Sequence, residues 1–142
     1  SVLGTIEELR LSTTVYHYLP MLRSAVAAHR GDSVGALDDL AEAAAAERRT
    51  SSPFLATDVC VAVAHAAFRS DEPEIALFAL GALGQGGQRT LGAYCWRQWL
   101  DEQLRPLVDD ERAAVLRSEG AAVSPREALD EALRRLRPAR GA

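Results

Sequence analysis

Residues 104–133, LRPLVDDERAAVLRSEGAAVSPREALDEAL, decide the fold class. Asp109 opens an apolar-periodic run. Glu119-Gly120 closes it, glycine being the residue that accepts the left-handed conformation just past a helix end. Ser124-Pro125-Arg126-Glu127 then places Ser at an N-cap, Pro at the first helical position and Glu at the third. That is a capping box with a pre-set first turn. A helix, a stop and a capped helix within thirty residues describe a chain of helical hairpins.

Working outward, the pattern repeats. Helix seven runs from Pro125 to Arg137 and helix six from Asp109 to Ser118, while helix five, Thr90 to Arg105, carries Tyr94, Trp96 and Trp99. On helix five, Leu91, Cys95 and Trp99 line one side and Trp96, Leu100 and Leu104 the other, and Asp101 and Arg105 have the spacing of an ion pair. Ser70 to Glu74 starts helix four, Asp71 and Glu74 reading as its capping pair, and Gly84 to Gly87 ends it. Helix three, Pro53 to Arg69, is apolar almost all round, which marks a central helix. Helix two spans Ser33 to Arg49, with Leu37, Leu40, Ala41 and Ala44 inward. Helix one runs from Ser12 to Arg30, its inner stripe read as Leu19, Leu22, Val26 and His29.

Sliding the chain by forty positions sets Asp32 on Glu72, Ala36-Leu37 on Ala76-Leu77 and Leu40 on Leu80. Each copy is a pair of antiparallel helices joined at a short acidic turn, slightly longer than the 34-residue period of tetratricopeptide repeats. The reading is an all-α, tetratricopeptide-like antiparallel helical-hairpin array of about seven helices. Residues 1–142 form a single domain: two hairpins over 1–87, then the C-terminal helices of 88–142. The opening Ser in place of Met reads as a piece of a longer protein.

Composition excludes more chemistry than it offers. Apolar residues are 48% of the chain, so disorder is out. All 16 basic residues are Arg. Without Lys there is no Schiff base, no phosphate-binding P-loop lysine and no lysine base. A net charge of −4 argues against a nucleic-acid surface. Cys60 and Cys95 stand apart with no CxxC spacing, and His17, His29 and His65 have no metal-ligand partner spacing, so neither metal nor cofactor is expected. The Gly81–Gly87 run follows a helix and lacks Lys, so it reads as a cap and linker. The acidic runs at Asp38-Asp39-Glu42 and Asp109-Asp110-Glu111 read as a solvated face and a first turn. The Arg134–Arg140 tail reads as charge at a helix C-terminus. No apolar run is long enough to span a bilayer and no secretory leader is present, which reads as cytoplasmic.

The aromatic residues are the sharpest binding feature of an otherwise Ala-rich chain. If helices one, three and five line a concave face, Tyr16, Tyr18, Tyr94 and Trp96 form its anchors and Arg23 and Arg97 its polar rim. Trp99 reads as core.

Leu104-Arg105, Asp110-Glu111, Glu119-Gly120, Ser124, Glu127 and Ala128, preceded by Ser70-Asp71, Ala76 to Leu80 and Gly84 to Gly87, carry a resemblance. Residues 65–136 resemble the end of the tetratricopeptide-like helical region in large actinobacterial LuxR-type and cyclase-linked ATP-binding signalling regulators. The chain departs from that pattern at Ala113, Arg117 and Ala121. The resemblance implies a non-catalytic interaction or sensor module of a signalling or transcription-regulatory protein, binding a protein or peptide partner or other domains of its parent. The alternative is a helical domain that holds a small effector in an aromatic-lined pocket.

Overall fold

The computed structural model describes residues 19–50, 53–83 and 91–139, with the side chains of 50, 53–56, 91–94 and 138–139 outside the description. Every regular element among the described residues is an α-helix: α1 (19–29), α2 (Ser33–Thr50), α3 (Pro53–Arg69), α4 (Pro73–Gly81), α5 (Leu91–Leu104), α6 (Asp110–Ala121) and α7 (Pro125–Ala139). The expected all-α array of seven helices is what forms.

The forty-residue repeat is visible in the hydrogen bonds of its turns. Gly31 and Asp71 both adopt left-handed backbone, with φ of 82° and 59°. In each turn this residue donates its N–H three residues back, to Ala28 O or Phe68 O, and the next residue donates five back, Asp32 to Ala27 O and Glu72 to Ala67 O. These paired bonds satisfy the orphan carbonyls of a helix end. Asp32 then caps α2, its carboxylate accepting from Gly35 N–H at 2.9 Å. The α4 start differs from the expected capping pair. Its N-cap is Glu72, which makes no side-chain cap bond. Asp71 is spent on the end of α3, and Glu74 reaches across to Arg112 of α6 at 2.7 Å. Asp101 likewise pairs with Arg117 of α6 at 3.3 Å, not with Arg105.

Helix α3 occupies the centre. Val59 to Ala67 are all buried, and α2, α4, α5 and α7 all pack on it. Its alanines let those neighbours come close without leaving voids. Helix α7 returns across α2, α3 and α4, so the array is tied shut at this end. It buries Ala128, Leu129, Ala132, Leu133 and Leu136, the stripe of an amphipathic helix. Of the capping box read at its start one arm forms, Ser124 Oγ accepting from Glu127 N–H at 3.2 Å, without a return bond from Ser124 N–H to the Glu127 carboxylate. Arg126 then grips Glu47 of α2 through three hydrogen bonds of 2.8 to 3.1 Å, the Glu47 side chain being only 3% exposed. Arg135 lies over the Phe78 ring of α4, 4.4 Å from its centroid.

Gly120 does not end its helix. Helix α6 continues to Ala121, and its C-cap, Ala122, is right-handed. Gly120 instead lies buried against α4, where a Cβ would stand 3.0 Å from Phe78 C and 3.1 Å from Ala82 N. Gly81 mirrors it: a Cβ there would stand 2.7 Å from Arg117 Cα and 2.9 Å from Arg117 C. The two helices touch backbone to backbone, which only glycine permits. Ala113, on the same helix and also buried, keeps the small side chain that so close an approach requires.

Helix α1 is turned from its expected orientation. Leu19, Leu22 and Val26 are 37%, 51% and 50% exposed and His29 is exposed, whereas Met21, Ser24 and Ala28 are buried. The face with the smaller side chains goes inward, its Ser24 hydroxyl satisfied by donating to Met21 O at 2.7 Å. Among the described residues, no helix is long and apolar enough to cross a membrane.

Candidate interaction surface

The aromatic concentration sits where α5 lies on α3. Leu100 and Leu104 are fully buried and fix α5 in place. One turn before Leu100, Trp96 is half-buried against the core. Its ring meets His65 of α3 edge-on, with centroids 5.3 Å apart at 64°. Trp99 lies 6.2 Å from the same imidazole and stands edge-on to Phe68 at 5.6 Å and 88°. Edge-to-face pairs at these separations hold rings in set positions. Trp99 nevertheless remains 42% exposed. The outcome reverses the sequence expectation: Trp96 is the better buried of the two indoles and Trp99 the one presented to solvent.

His65 is the chemically unusual member. It is 7% exposed, and its Nδ1 is buried with no hydrogen-bond partner. Burial, with help from the Arg69 and His29 charges, pushes its pKa down to about 4, so the ring is neutral at pH 7. Arg69 closes the neighbouring edge by donating to Ala28 O at 3.4 Å and His29 O at 2.9 Å, capping the C-terminus of α1. Cys60, farther back on α3, is buried and donates to Pro125 O at 3.2 Å; burial raises its thiol to about 12. The imidazole is thus held neutral and the Cys60 thiol protonated.

The sequence-derived binding residues fare unequally. Tyr16 and Tyr18 lie outside the described residues, as does the Tyr94 side chain. Trp96 belongs to the cluster. Arg97, half-buried beside it, is already engaged within the protein. Arg23 is elsewhere: it ties α1 to α2 through Asp39 at 3.5 Å and Glu42 at 3.1 Å. It lines a hollow of about 420 Å³ on α1 with Leu19, Leu22, Val26, Ala27, Arg30 and Asp32, none of them aromatic. A groove floored by α3 is not what forms, because Asp58 to Ala67 are covered throughout. Phe68, His65 and Trp99 were missed as a group. Their signal was the matched spacing of three in His65/Phe68 and Trp96/Trp99, which puts each pair on one helix face.

No family model, curated protein or solved structure matches this chain.

Proposed function

We propose that this chain is a non-catalytic, tetratricopeptide-like interaction module of a cytoplasmic signalling or transcription-regulatory protein, engaging a protein or peptide partner through the α3–α5 aromatic face. The observation that carries the reading is Trp99, a large aromatic left 42% exposed while Phe68 holds it edge-on and His65 packs beside it at a tilt. A pre-oriented indole supplies contact area at little entropic expense, as binding anchors do. The inert Cys60 and the unassisted His65 support a non-catalytic role, and the acidic net charge of −4 supports a partner other than nucleic acid.

The test is site-specific photo-crosslinking from position 99, followed by binding of the purified captured protein to parent and Trp99→Ala forms. About 2 kcal/mol of lost affinity with an unchanged melting temperature supports the reading. Equal affinity refutes it. One observation favours a second reading, a small effector: the buried, unpaired His65 Nδ1 is a place where a ligand hydroxyl or amide would complete a hydrogen bond. A ligand that raises the melting temperature of the parent but not of His65→Leu would favour it.

A further inference from the structure

Helix α1 carries a face that the repeat itself explains. The forty-residue offset that superposes the two turns also sets Leu19 on Val59, Leu22 on Ala62 and Val26 on Ala66. In α3, on which α2, α4, α5 and α7 pack, those three are 0%, 1% and 3% exposed. In α1 the same three positions are larger, more apolar and open, and they line the hollow of about 420 Å³. The opposite faces agree between copies, since Met21 and Ser24 are buried as Val61 and Ala64 are. The first hairpin therefore differs from the second by one uncovered helix-packing face. Arg30, exposed at its edge, makes no ion pair among the described residues, while Asp32 beside it is occupied in capping α2.

We infer that Leu19, Leu22 and Val26 form a docking site for an amphipathic α-helix of a protein partner, apolar at i, i+3 and i+7 and acidic along the edge that meets Arg30. The occupant is a helix because the equivalent positions are buried in α3, and every element packed on α3 among the described residues is a helix. Leucine and valine in place of α3's alanines suit an added element that packs at a wider spacing than the alanine-lined interior. The acidic edge follows from the uncompensated guanidinium. This surface is separate from the Trp99 face and does not rest on it.

The probe is a fluorescein-labelled synthetic helix of Leu at those spacings with Glu flanks, titrated by anisotropy against the full chain. Saturable binding is expected, weakened about tenfold or more by Leu22→Asp or Val26→Asp. Both sites are half exposed, so both variants should melt as the parent does. Arg30→Glu should shift the preference to the same peptide with Lys flanks, and Trp99→Ala should leave binding unchanged. Three outcomes overturn the proposal: no saturation by about 1 mM peptide, equal binding by Leu22→Asp, or a parent that sediments as a dimer while Leu22→Asp is monomeric. The last would assign the face to a second copy of this chain.

Discussion

Gly120→Ala separates two accounts of one residue by the sign of its effect. If Gly120 were only a helix residue facing open space, Ala would stabilise by up to about 0.8–1 kcal/mol through helix propensity. The structure places backbone there instead. The new Cβ would lie 3.0 Å from Phe78 C and 3.1 Å from Ala82 N, with the Phe78 carbonyl oxygen nearer still. Backbone atoms of a helix cannot rotate aside as a side-chain end can, so α6 and α4 must part by roughly 0.5–1 Å, a gap that forfeits a quarter to a half of each dispersion contact across it. Ala113, Leu116, Leu77 and Phe78 are buried on these two helices. Overpacking of this kind costs about 1–3 kcal/mol. Backbone this close places the cost in the upper part of that range, about 2–3 kcal/mol, so subtracting a propensity gain of about 1 kcal/mol leaves a net loss of about 1–2 kcal/mol, or about 3–7 °C in melting temperature. Urea denaturation with a fitted m-value measures it. Gly81→Ala should behave alike, and the double variant should lose less than the sum, because the helices part only once. A Gly120→Ala protein as stable as the parent, or more so, would refute the backbone contact.

Ser124→Ala removes the acceptor for Glu127 N–H and should lower unfolding free energy by about 1 kcal/mol; unchanged stability would mean the cap is dispensable. The His65 pKa falls from an ordinary value near 6.5 to about 4 on folding, so its contribution is fully present above pH 6.5 and is lost as pH drops toward 4. Melting temperature measured from pH 7 to 5 should decline more steeply for the parent than for His65→Leu, and parallel curves would contradict the buried neutral ring. A thiol reagent should modify exposed Cys95 rapidly and Cys60 only as the protein unfolds. Two fast thiols in the native protein would show that α7 does not seal α3.

What the sequence made legible was local or averaged over whole helices. Most helix limits, the Ser124 cap and the repeated turn depend on neighbours in sequence, and α3 declared its central place by lacking any polar face. What escaped depended on partners distant in sequence. Gly120 has the same local signature whether it ends a helix or admits a second backbone, and only α4 decides. Helix α1 offers a large apolar face and a smaller one of Met21, Ser24 and Ala28, and the smaller went inward, the Ser24 hydroxyl donating to Met21 O at 2.7 Å. Trp96 and Trp99 exchanged their expected environments because Leu100 and Leu104 set the rotation of α5. His65 was readable as an imidazole without ligand spacing, yet nothing in sequence tells that its Nδ1 is buried unpaired.

The proposed function rests on Trp99 being a contact and not a filler, and one paired measurement on Trp99→Ala and Trp96→Ala tests this most directly. Unfolding free energy and affinity for the protein crosslinked at position 99 are determined for both. The account predicts that Trp99→Ala loses about 2 kcal/mol of binding and little stability, while Trp96→Ala, half-buried against the core, loses the larger share of stability, about 2 kcal/mol. A Trp99→Ala protein that binds as the parent does, or that unfolds as readily as Trp96→Ala, would contradict it.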